Sequence, residues 1–189
     1  MKVSEQFVLL AGTANKLKYH SKLTTVAAVI YDLILDGAVK LDEKNRLVIN
    51  QQSVFELTNY EEKVYNLIKK YSPVKMFILI GKIYAELRAC GIHKDVMEGL
   101  NSQKIDLEKK THSIIEELRA DVLEDGTMSE ESSILLLLMK QSKCMNYYFS
   151  NHESSIVSDK LKSLKSSNEF RFYSILRKTI VISDLLTWS

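Results

Sequence analysis

Along most of this chain apolar residues recur at the three-and-four spacing of a helix face, and the period changes at only two places. Ser4 stands ahead of Phe7, Val8, Leu10 and Ala11, and Gly12 follows, which predicts a short helix with a serine cap and a glycine stop. Val26, Val29, Ile30, Leu33 and Ile34 carry a second helix from Thr24 to Leu35, with Gly37 as its end. Val39, Leu41, Leu47 and Ile49 then alternate with polar neighbours around Asp42, Glu43, Lys44 and Asn45, the pattern of a β-hairpin.

The plan then repeats. Asn59 with Glu62 reads as a capping-box start for a helix on Val64, Leu67 and Ile68. Ser72-Pro73 opens another, with proline at the first position where its missing N–H costs nothing. Ile78, Leu79, Ile83 and Leu87 line that helix and Gly91 ends it. Ile92 to Leu107 is read as a second hairpin that bends near Gly99 and Asn101-Ser102.

The last third is helical throughout. Ile114, Ile115, Leu118 and Val122 mark one helix with Asp125-Gly126 as its stop. Ser129 caps the next, whose run Ile134 to Met139 is apolar all round and so belongs in the centre of the core. Asn151 to Asn168 is serine-rich, yet Ile156, Val157, Leu161 and Leu164 keep a helical stripe, as on a surface helix. Phe172, Ile175, Leu176, Ile180, Leu185 and Trp188 close the chain. No domain boundary interrupts residues 1–189. The expected fold is mainly α: a single globular helical domain with two β-hairpins, each following a helix that ends at Gly.

Composition adds limits rather than a function. Of the 189 residues 46% are hydrophobic and 26% charged, which is globular and not disordered, and one Pro with six Gly favours helices. With 26 Lys+Arg against 24 Asp+Glu, the net charge of +2 does not suit a protein that coats nucleic acid. Cys90 and Cys144 cannot build a disulfide framework. The N-terminus lacks a signal-peptide layout, and no apolar run approaches the ~20 residues that span a bilayer. The expectation is a soluble cytoplasmic protein, at most peripheral on the cytoplasmic face of a membrane.

Catalytic signatures are missing. The sequence has no glycine-rich phosphate loop after a strand, no G-x-S-x-G, no H-E-x-x-H and no C-x-x-C. His20, His93, His112 and His152 are scattered, and Cys90 with His93 would need two further ligands to hold a metal. No enzyme activity, cofactor or metal is therefore expected. Two stretches suit an anion. Lys16, Lys18 and Lys22 surround Tyr19 and His20 ahead of the helix at Thr24. Lys69, Lys70, Lys75 and Lys82 surround the helix expected at Pro73. The two clusters make one candidate anion site only if the two helix starts converge. The second expected hairpin, with Ile92, Met97 and Leu100, is the candidate surface for a membrane or for a second copy of the chain.

Four stretches bear a resemblance. TVAAVIYDLILDGAVKLD from Thr25 to Asp42 resembles the first helix and hairpin of the Golgi phosphoprotein 3 family. SEQFVLLAG from Ser4 to Gly12 is similar to that family's opening glutamate and leucine-rich turn. IYAELRACGI from Ile83 to Ile92 resembles its helix ending in glycine before a second hairpin, and SEESSILLLLM from Ser129 to Met139 its central helix. The resemblance implies a mainly α-helical, non-enzymatic peripheral membrane adaptor that recognises phosphatidylinositol 4-phosphate. It implies a headgroup pocket of one tryptophan and several arginines, and here the chain departs. The matching positions fall near Val26, Phe77 and Ile80, no arginine precedes Arg46, and the single tryptophan is Trp188. Tyr19, Lys22, Lys75 and Lys82 are the nearest substitutes, and a lysine offers a point charge where arginine offers a two-bonded fork. A weakened or altered headgroup site follows. Two other functions fit the same elements: a winged-helix DNA-binding regulator, and an oligomerisation module without a lipid ligand.

Overall fold

The structure is a computed structural model that describes residues 1–15, 19–51, 56–76, 78–79, 82, 91–103, 106–124, 128–164 and 171–186; for 19–23 and 180–186 it describes the backbone alone. It is mainly helical with one small antiparallel sheet. In chain order the elements are α1 (Val3–Thr13), α2 (Tyr19–Leu35), β1 (Val39–Leu41), β2 (Arg46–Ile49), α3 (Asn59–Tyr71) and β3 (Val74–Lys75). Then come α4 (Ile92–Ser102), α5 (Leu107–Leu123), α6 (Glu130–Gln141), α7 (Met145–Tyr148), α8 (Asn151–Ser163) and α9 (Arg171–Leu186).

The centre is built from two helices that are apolar on nearly every side. In α1, Val3, Phe7, Val8, Leu9, Leu10 and Ala11 are all buried, and α2, α4, α5 and α6 pack around them. In α6, every residue from Ile134 to Met139 is buried, as the unbroken apolar run predicts. The buried side chains form one cluster that runs from Val3 in α1 to Leu176 in α9.

The caps explain most helix starts. Thr58 and Glu61 make the capping box of α3, one residue before the pair expected from sequence. Ser129 accepts from the Ser132 amide at the start of α6, and Ser150 makes a capping box with Glu153 on α8. Ser4 is not a cap. It lies inside α1, fully buried, and the cap position belongs to Lys2 because Asp32 of α2 accepts the amides of Val3 and Ser4 at 2.9 Å each. Gly12 does not stop α1 either; the chain turns left-handed at Asn15, with φ +51°.

The first hairpin forms as expected. Val39 faces Ile49 and Leu41 faces Leu47, while Asp42 holds the turn by accepting from the Lys44 and Arg46 amides and from Arg46 Nε at 2.7 Å. A third strand completes the sheet: Leu47 pairs with Val74 and Arg46 with Lys75. Val39, Leu47 and Val74 put one face of the sheet into the core.

Two expectations are overturned. Pro73 does not open a helix: the Ser72–Pro73 peptide is cis and leads into β3, and helical backbone begins only at Met76. The second hairpin does not exist, since Ile92–Ser102 is helix α4 and α5 begins at Leu107. Ile92, Val96 and Leu100 recur every four residues and all three are buried, so packing favours a helix. Gly99 and Asn101-Ser102 are accommodated in it instead of bending the chain; a Cβ at Gly99 would meet the Tyr60 ring at an ordinary 3.9 Å.

Candidate functional site

The basic patch grows from the end of α3. That helix closes on Lys69 and Lys70, both exposed, where the C-terminal end of the helix dipole favours cations. Tyr71 follows, half-buried against the core, with its ring turned to two ammonium groups. Lys70 Nζ lies 5.1 Å from the ring centroid and Lys82 Nζ 4.4 Å. Each contact holds a cation on an aromatic face, and each contributes about 0.5–1 kcal/mol where exposed. Lys75 is exposed on β3, four residues from Tyr71 and so within about 14 Å of it along the chain. Ile78 is 40% exposed, and like Lys82 four residues later it is helical.

The structure thus brings Lys82 together with Lys70 on Tyr71, with Lys75 close by in sequence. It does not supply the two helix starts from which a shared cradle was expected. Helix α2 begins at Tyr19, which leaves Tyr19 and Lys22 in its first turn; their side chains lie outside the described residues. Thr24 sits inside α2 and is buried, and every residue from Thr24 to Leu33 is buried as well. Lys16, Lys18, Phe77, Ile80, Cys90 and Trp188 also lie outside the described residues. Ile92 and Leu100 are 4% and 0% exposed on α4, and Met97 is half-buried against the core, so these three form no exposed tip for a membrane or a second copy.

Sequence reading missed three residues. Tyr71 stands directly between Lys69-Lys70 and Ser72-Pro73, and an aromatic that follows two lysines is a visible signal. Lys40 and Arg46 lie on the outward face of the sheet with Lys75, which the alternation in the hairpin already implies once the inward set is fixed.

The most buried ionisable groups serve the fold. Lys2 Nζ donates to Asp36 at 2.7 Å and to Glu61, whose side chain is completely buried. Glu61 also accepts from the amide and hydroxyl of Thr58 at 2.9 and 2.8 Å. Glu5 accepts from the Lys2 amide and from Gln103 Nε2. Burial pushes the Asp32 carboxyl up to about 6, against the pull of its bonds to Val3 and Ser4, and burial beside Glu5 drives the Tyr60 hydroxyl well above its ordinary value. This network fastens α1 to α2, α3 and α4.

A cavity of about 300 Å³ opens between α1, α5 and α6. Its lining includes Glu117, Asp121 and Glu131, which makes it unsuited to an anion, and none of Tyr19, Lys22, Lys75 and Lys82 contributes to it. Among the described residues no group of three or more His, Cys, Asp or Glu is placed to hold a metal, and no helix is long and apolar enough to cross a membrane. The chain matches no family model, no curated protein and no solved structure.

Proposed function

We propose that this chain is a non-enzymatic adaptor domain that attaches to the cytoplasmic face of a membrane by gripping an acidic lipid headgroup, phosphatidylinositol 4-phosphate. One observation carries the reading: Lys70 and Lys82 share the ring of Tyr71, with Lys75 on the adjoining strand. Ammonium groups gathered at one end of a helix present concentrated positive charge, and the aromatic fixes two of them in place. Each lysine near an anionic surface adds on the order of 1 kcal/mol, so three or four give a weak, salt-sensitive attachment that a second copy or a protein partner strengthens.

The DNA-binding alternative is disfavoured by α2, the helix before the hairpin, which is buried from Thr24 to Leu33 where a groove-reading helix must be bare. The oligomerisation alternative loses its surface with the second hairpin.

Vesicle co-sedimentation tests the reading. Phosphatidylcholine vesicles carrying phosphatidylinositol 4-phosphate should pellet the protein at low salt, and Lys75→Ala/Lys82→Ala should lower that fraction severalfold. Equal pelleting with and without the phosphoinositide at low salt would remove the proposal.

A further inference from the structure

The outward face of the three-stranded sheet is a surface in its own right. Lys40 lies opposite Val48 on β1–β2, Arg46 is two residues from Val48 on β2, and Lys75 lies opposite Arg46 on β3. Side chains of directly paired residues stand on one face, roughly 5 Å apart at Cβ, so the three cations and Val48 share one side while Val39, Leu47 and Val74 fill the other. Like charges paired across strands destabilise a sheet, and here Arg46 faces Lys75 at an edge strand only two residues long. Asp42 engages Arg46 Nε and thereby offsets part of that repulsion, and Lys40 and Lys75 remain exposed.

We infer that this face, Lys40, Arg46 and Lys75 around Val48 with Ile78 three residues beyond, lies against the anionic surface of a lipid bilayer. The inference rests on the lipid-binding reading above and deepens it, because it assigns a second contact that needs no particular headgroup. Two features select a bilayer over other polyanions. Lys40 and Lys75 are point charges, suited to a fluid layer of charge, and the one forked cation is already held by Asp42. Ile78, three residues after Lys75 in the chain, exposes apolar surface, and an exposed apolar residue so close in sequence to these cations suits the boundary between headgroups and acyl chains. An anionic surface also relieves the Arg46–Lys75 repulsion, so binding steadies β3.

The probe is a phosphatidylcholine vesicle containing phosphatidylserine and no phosphoinositide, at low salt. The wild-type chain should partition onto it; Lys40→Arg should keep the partition, Lys40→Gln lower it about fivefold and Lys40→Glu about thirtyfold. Ile78→Ser should weaken binding in a way that added salt does not mimic. Circular dichroism of each variant reports that the fold is kept. Unchanged partition of Lys40→Glu overturns the inference, as does wild-type protein that ignores these vesicles or that binds a single-stranded nucleic acid in their place. A parallel series on vesicles with phosphatidylinositol 4-phosphate alone separates the two claims. Loss there with Lys82→Ala, whatever Lys40 does, bears on the headgroup reading and not on the sheet face.

Discussion

Asp32 accepts the first two amides of α1 from inside the core, and its burial raises its carboxyl from 3.8 to about 6. A group whose value is higher in the folded state than in the unfolded chain stabilises the fold below the unfolded value and loses that contribution as pH rises through the folded one. Between pH 4 and pH 6 the Asp32 contribution therefore declines, by on the order of 2–3 kcal/mol. Denaturant unfolding of wild type and Asp32→Asn across that range should show their difference shrink as pH climbs. Asp42 and Glu153 are held below the ordinary carboxylate range by amide bonds at a turn and a cap, so they act in the opposite sense, and the paired comparison cancels them. Lys2 and Glu61 offer a second test. Lys2→Met leaves Glu61 with only its Thr58 bonds in a dry site, for an expected loss of about 2–4 kcal/mol. Lys2→Met/Glu61→Leu should recover part of it, because an apolar pair avoids the desolvation cost. A double mutant no more stable than Lys2→Met alone contradicts that account.

Local chemistry made some elements legible and packing decided the others. The first hairpin was readable because turn residues and alternation agree: Asp42 binds its own turn, and Gly37 takes the φ of +74° needed to leave α2. Gly37→Ala should cost about 1 kcal/mol or slightly more, measured by thermal unfolding, through backbone strain alone since nothing lies within 4 Å of a Cβ there. Helix α6 was readable from its Ser129 cap and α8 from the stripe Ile156, Val157, Leu161 and Leu164, whereas the Ser150 cap of α8 was not singled out. Helix α4 was not, because Gly99 and Asn101 have the local chemistry of a bend and only the burial of Ile92, Val96 and Leu100 outweighs them. Leu100→Ala discriminates: a core leucine should cost about 2–5 kcal/mol, whereas a residue at an exposed tip would cost almost nothing. The start of α2 was hidden for the opposite reason. Its first turn, from Tyr19 onward, is polar, and the apolar stripe that announces the helix begins only at Val26. Of the candidate site, the lysines were visible one by one, but that Lys70 and Lys82 meet on Tyr71 depends on a tertiary contact between segments a dozen residues apart.

At the scale of the whole molecule, a net charge of +2 conceals a separation of sign. Cations gather on the outward sheet face and at the end of α3, while carboxylates rim the cavity between α1, α5 and α6. Attachment to anionic vesicles should therefore fall steeply with ionic strength, since the screening length shrinks to about 10 Å at 0.1 M, and a salt titration of the pelleted fraction reads this directly. The central position of α1 has a consequence for how the chain is made. Its walls include α5 and α6, and Tyr148 donates to the Leu10 carbonyl from farther along still, at 2.7 Å. A ribosome must therefore deliver 138 residues beyond Leu10 before α1 is fully enclosed. Until then an oily rod of Phe7, Val8, Leu9 and Leu10 waits without its last neighbours, the kind of transiently bare apolar surface that invites aggregation.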